Sequence, residues 1–215
     1  MTISDLYTEY RILPNLQTHM YRVAAVGELI CRNMRIAVDQ DSVVTACLLH
    51  DMGNIIKFNM SYRPEDFQPE GVEYWQKVKD EFVQKYGSDE SKATILIAGE
   101  IGVREPARTF IREFGFAYAE KILKSDVWEH KIAEYSDERV TPTGIAPMKE
   151  RLEEGRKRYL ANKNNSGGEA LFTRGMQCLE QIESQIFEQC DITPDAITDE
   201  SIASIMESLP HRVYY

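Results

Sequence analysis

Apolar residues recur at three- and four-residue intervals along most of this chain. Leu16, Met20, Val23, Val26 and Ile30 fall on one stripe after Pro14, which predicts a helix over 15–33 with Asn15 as its cap. Asp41 stands ahead of Val43, Val44, Cys47 and Leu48 and predicts a second helix, capped by Asp41, that stops near Gly53. Polar residues, Pro64 and Pro69 then mark a loop over 54–72, long enough to serve a function rather than a simple connection.

Helical spacing resumes over 72–86 and is closed by Gly87, and Asp89 caps a further helix carrying Ala93, Ile95, Leu96, Ile97 and Ile101. Pro106 opens a short helix, and Ala119, Ile122, Leu123, Val127 and Ile132 predict one continuous helix over 117–135. Pro142, Gly144 and Pro147 precede a charged helix over 148–160, whose Glu, Arg and Lys pattern describes a solvated face. A polar, glycine-ended run over 162–168 reads as a flexible segment, followed by helices over 170–189 and 198–209. No strand alternation, repeat period, G-x-G-x-x-G or Walker loop is present. The pattern predicts an all-α protein: a helical domain over 1–160, then 161–215 as helices packed on the core or on a partner.

Composition narrows the partners. With 43% hydrophobic and 10% aromatic residues among 215, the chain can bury one substantial core. Its 25 basic and 35 acidic residues give a net charge of −10 with no Lys/Arg block, which argues against nucleic-acid polymers and anionic membranes. The longest apolar run, 43–49, stops at His50 and is too short to cross a bilayer. The first residues lack a basic segment followed by an apolar run, and Cys31, Cys47, Cys178 and Cys190 form no Cys-x-x-Cys pair. A cytoplasmic protein with free thiols is the expectation. The amphipathic helix after 169 is suited to pairing with a copy of itself as a homodimer.

Candidate chemistry gathers at three places: His19, the pair His50-Asp51, and Asp137. His19 falls three after Leu16 and four before Val23, so it points inward and needs a partner. His50 and Asp51 can address one point only at a helix end, which Gly53 supplies. Two neutral imidazoles and two carboxylates suit a divalent metal and leave positions for water and substrate. His130 lies seven residues before Asp137 and reads as a hydrogen-bonded core histidine that an unbroken helix would bring to the same side. His211, beside Pro210, carries no functional weight.

The arrangement resembles the HD domain superfamily of metal-dependent phosphohydrolases, over about 13–152. The resembling residues are Leu13-Pro14-Asn15-Leu16 ahead of His19, Arg22, Leu48-Leu49-His50-Asp51-Met52-Gly53, and Tyr135-Ser136-Asp137-Glu138-Arg139-Val140. The resemblance implies an HD-like helical bundle with a C-terminal extension, with His19, His50, Asp51 and Asp137 as metal ligands. Where binuclear members carry further histidines the chain has Glu90-Ser91-Lys92, so one ion is expected, of manganese, iron, cobalt, nickel, zinc or magnesium. That scarcity of histidines also argues against a di-iron oxygenase.

The implied activity is hydrolysis of a phosphomonoester or nucleotide-like small molecule. Asp51 would orient or deprotonate the attacking water, and Arg22, Asn54 and Lys57 would contact the substrate. Asn54 stands where many members carry Lys. A non-catalytic module that binds a metal or nucleotide as a structural or sensor protein is the alternative. Arg104, Arg108 and Arg112 form a stripe read as solvated and paired with Glu105 and Glu113, and nothing in the spacing selects Glu73 or Glu100 as an acid.

Overall fold

A proline at the first helical position has no amide hydrogen to leave unpaired, and Pro14 starts the central helix of the fold in this way. The computed structural model describes residues 1–61, 64–161 and 168–214. In chain order the helices are α1 (Ile3–Glu9), α2 (Pro14–Arg32), α3 (Gln40–Leu49), α4 (Val72–Tyr86), α5 (Glu90–Glu100) and α6 (Ala107–Arg112). They continue with α7 (Ala119–Leu123), α8 (Trp128–Asp137), α9 (Met148–Ala161), α10 (Gly168–Phe187) and α11 (Asp199–Ser208). The architecture is all-α. No helix among the described residues is long and apolar enough to cross a membrane.

Helices α2, α3 and α8 pack on one another, and α11 lies along α2. Gly27 of α2 sits where they meet: a Cβ there would lie 3.1 Å from Val43 Cγ1 and 3.3 Å from Ser136 Oγ, so a larger residue would have to push the helices apart. Ile182 and Ile186 of α10 and Ile202 and Ile205 of α11 are buried in the same cluster as Val23, Val44 and Ile132. The C-terminal helices therefore pack on the core. All four cysteines are buried and free.

Four local expectations are corrected. The cap of α2 is Leu13 rather than Asn15, which lies inside the helix. The cap of α3 is Asp39 rather than Asp41, and it accepts the Ser42 amide at 3.1 Å and the Ser42 hydroxyl at 2.5 Å. The helix expected over 117–135 is broken, because Ser125 Oγ accepts the Val127 amide at 3.1 Å and so offers the backbone an alternative to the helical ladder. A two-stranded hairpin, β1 (Val140–Thr141) and β2 (Gly144–Ile145), was invisible in the alternation because each strand has only two residues. The flexible run expected over 162–168 lies, up to Gly167, outside the described residues.

Arg139 joins the hairpin to the C-terminal part. Its buried guanidinium donates to the carbonyls of Ala146 (2.6 Å), Pro194 (3.1 Å) and Ile197 (3.2 Å) and to Tyr135 Oη (2.8 Å). Carbonyl dipoles replace the water this cation loses on burial, which fixes the chain just after Asp137.

Candidate metal centre

The three packed helices bring their chemistry to one point. His19 comes from the second turn of α2, His50 is the residue on which α3 ends, Asp51 follows it in the turn, and Asp137 is the last residue of α8. Gly53 lets this turn approach α5: its amide donates to Thr94 Oγ1 at 2.9 Å, and a Cβ would lie 2.5 Å from the Glu90 carbonyl oxygen. Tyr7 Oη donates to the Leu48 carbonyl at 2.6 Å, satisfying one of the acceptors that a helix end leaves open.

His50 is oriented from behind. Its Nδ1 lies 2.8 Å from the Cys47 carbonyl oxygen, so Nδ1 carries the hydrogen and Nε2 presents its lone pair forward. The Phe114 ring stacks on the imidazole with centroids 4.4 Å apart. Ahead, His50 Nε2 is 3.6 Å from Asp137 Oδ1 and 3.7 Å from Asp51 Oδ1. His19 Nε2 is 3.0 Å from Asp137 Oδ1 and 3.7 Å from Asp51 Oδ2. His19, His50 and Asp51 offer ligand atoms within 4.8 Å of one another.

Two of these converging atoms, His50 Nε2 and Asp137 Oδ1, are buried without an aligned hydrogen bond. With His50 neutral, a buried lone pair facing a buried carboxylate is a costly arrangement unless a cation, either a proton or a metal ion, lies between them. The donor set, two imidazole nitrogens with carboxylate oxygens, fits a divalent metal. In the metal-free protein, burial pulls the His50 pKa down, but the charge of Asp51 and the contacts with Asp137 overcome it and push it up to about 9. Burial raises the Asp137 pKa, yet its contacts with His19 and His50 hold it well below the usual carboxylate range.

His19, Asp51 and Asp137 of the cluster line a cavity of about 340 Å³. Arg22, Asn54 and Lys57, the three residues named from sequence as substrate contacts, all line it. Arg22 meets a residue of the C-terminal part: its Nε lies 3.3 Å from Asp199 Oδ1 of α11. Arg151 of α9 also lines the cavity, with Nε donating to the Val140 carbonyl at 2.9 Å. Sequence reading assigned that helix to a solvated face and missed it. It also missed Thr141 and Pro142 of the hairpin, which wall the cavity. A larger cavity, about 740 Å³, lies beside α3, α6 and residues 212–214 and contains none of the cluster.

Other candidates lie elsewhere. His130 is buried with Nε2 3.2 Å from the Glu113 carbonyl and its ring stacked on Phe110, and burial lowers its pKa. Glu100 binds Lys85 and Tyr86 at 3.0 and 2.8 Å. Arg112 pairs with Glu105 at 3.5 Å as expected, whereas Glu113 pairs with Lys121 rather than with the arginine stripe. Glu134, one turn before Asp137, was not singled out. It is buried, accepts the Gly115 amide at 2.7 Å through Oε2, and has no partner for Oε1. Burial, with the nearby charges of Glu138 and Asp137, pushes its pKa up to about 8.

A family model, the HD domain, matches residues 16–95. This segment is therefore similar to that family. It contains His19, His50 and Asp51 of the cluster, while Asp137 reaches the same point from beyond it. Comparison with curated proteins and with solved structures gives no significant match.

Proposed function

We propose that the protein is a metal-dependent phosphohydrolase that cleaves a phosphomonoester or nucleotide-like small molecule. The observation that carries this reading is the convergence of His19, His50, Asp51 and Asp137, with His50 Nε2 and Asp137 Oδ1 buried without an aligned hydrogen bond, beside a cavity lined by Arg22, Lys57 and Arg151. His19, His50, Asp51 and Asp137 would hold one divalent cation, whose chemistry when bound is to polarise a phosphoryl oxygen and acidify a water towards neutral pH.

The chain's own groups do the rest. Asp51 lines the cavity, so its carboxylate is placed to orient the attacking water and accept its proton. Arg22, Lys57 and Arg151 face the space a phosphate would occupy and oppose the negative charge that grows on its oxygens. Leu16, Phe58 and Val140 give the remaining wall an apolar surface for the organic part of a small substrate. This supply of positive charge is local, in keeping with a chain of net charge −10 that is not suited to polyanions or membranes. We place the protein in the cytoplasm because its four cysteines are free, as a reducing compartment keeps them.

Asn54 favours a second reading. It is buried in the cavity wall and brings no charge where many members of the superfamily carry Lys. A module that binds a metal or nucleotide without turning it over is consistent with that. Elemental analysis of purified protein followed by a phosphatase screen with added manganese, cobalt, nickel or magnesium decides between them. Hydrolysis abolished by Asp51→Ala supports the enzyme; bound metal with no turnover of any phosphoester supports the module.

A further inference from the structure

Asp199, the first residue of α11, is far from the matched segment in sequence yet contacts both Arg22 of the cavity and the hairpin beside it. One carboxylate oxygen, Oδ1, lies 3.3 Å from Arg22 Nε, and the other, Oδ2, accepts the Ile145 amide at 3.1 Å. Thr198 fixes the backbone beneath it by a reciprocal cap, Thr198 Oγ1 accepting the Ser201 amide at 3.1 Å and Ser201 Oγ accepting the Thr198 amide at 2.9 Å. The hairpin leaves room for the carboxylate: a Cβ on Gly144 would lie 2.5 Å from Asp199 Oδ2.

The Arg22 contact is a charge contact rather than an aligned hydrogen bond, and it is made by the inner nitrogen of the guanidinium. The two terminal nitrogens of Arg22 make no hydrogen bond or ion pair among the described residues, and the side chain lines the cavity beside His19 and Asp51. An arginine held at Nε keeps its outer fork for a bidentate partner such as phosphate. Asp199 itself is 57% exposed, so the pair adds little to stability and its value lies in where it holds Arg22.

We propose that Asp199 is the positioning residue that holds Arg22 ready for a phosphate group, which makes the start of α11 part of the functional unit. The inference rests on the phosphate-binding reading of the cavity given above. Without the tether Arg22 must be ordered by the ligand itself, which weakens binding, and loss of the competing negative charge only partly offsets this.

Calorimetric titration of the manganese-loaded full-length protein with inorganic phosphate tests it, using Asp199→Ala, Arg22→Ala, the double variant and Gly144→Ala, with manganese titration and thermal unfolding of each. Asp199→Ala is expected to weaken phosphate binding by about five- to tenfold with manganese affinity unchanged. The double variant should bind no more weakly than Arg22→Ala, because the tether acts only through that arginine. Gly144→Ala, which displaces the carboxylate without removing it, should act in the same direction. Unchanged or tighter phosphate binding in Asp199→Ala, or additive losses in the double variant, would overturn the proposal while Arg22→Ala still weakens binding. Full phosphate affinity in Arg22→Ala, or no phosphate binding by the unaltered protein, would instead remove the cavity reading beneath it.

Discussion

Gly53 donates its amide to Thr94 Oγ1 at 2.9 Å, and the turn that carries His50 and Asp51 thereby rests on α5 more closely than a side chain permits. Gly53→Ala would drive a methyl group into the backbone at Glu90 and Thr94. It is expected to cost about 1–3 kcal/mol of stability by overpacking and to weaken manganese binding as Asp51 shifts. Urea unfolding and manganese titration measure the two effects. A variant that loses neither would show that the close approach is not needed.

Support behind His50 should be separable from ligation by it. Phe114→Ala removes the stacked ring but leaves the imidazole and its Cys47 contact, so manganese affinity should fall by roughly 10–100-fold, the usual range for a residue that orients a ligand. His50→Ala should exceed that and leave no metal after dialysis. Equal losses in the two variants would contradict the distinction.

Arg151 and Lys57 reach the cavity from opposite sides of it in sequence, one on α9 and one just after the metal turn. Arg151→Ala is expected to raise KM for a small phosphomonoester by about tenfold, as for loss of one charged hydrogen bond, with Lys57→Ala smaller because that side chain is exposed. An unchanged KM in Arg151→Ala would remove it from the substrate contacts.

Glu134 gives the fold a pH dependence of definite sign. Its carboxyl is held neutral by burial, with a pKa raised to about 8 against an ordinary value of 4.5. A raised folded-state value means that the stabilising difference is complete below about pH 4.5 and is lost as pH climbs through about 8. Glu134→Gln should therefore lose less stability between pH 5 and pH 8 than the unaltered chain, by an amount on the order of a few kcal/mol. Parallel urea midpoints across that window would count against the neutral carboxyl.

The sequence carried the site where chemistry and period coincide. His19 and Arg22 are legible because they share a stripe with Leu16 and Val23, and His50-Asp51 because Gly53 announces the helix end. Arg151 was hidden by its charged neighbours, since only the bond to the Val140 carbonyl shows that it turns towards the hairpin. The cap of α3 was misplaced by two residues because Asp39 and Asp41 offer the same side chain, and the choice depends on the backbone between them. The break at Ser125 was missed because one hydroxyl can outcompete a helical bond without disturbing the apolar spacing. Asp199 was out of reach for a plainer reason: nothing local in a sequence tells which distant arginine a capping-turn acid will meet.

The clamp around Arg139 has a kinetic consequence. It pins the chain two residues beyond Asp137, while Ser136 Oγ bonds back to the Ile132 carbonyl at 2.6 Å, so the end of α8 opens only together with the core. The residues over 64–71, beyond the His50-Asp51 turn, are mostly exposed and hold only one short 3-10 helix, Pro64–Phe67. Hydrogen exchange should divide the site accordingly, with amides near Asp137 protected for as long as the slowest in the protein and those over 64–71 exchanging early. Traffic at the mouth of the cavity is then fast on the timescale on which its floor stays shut.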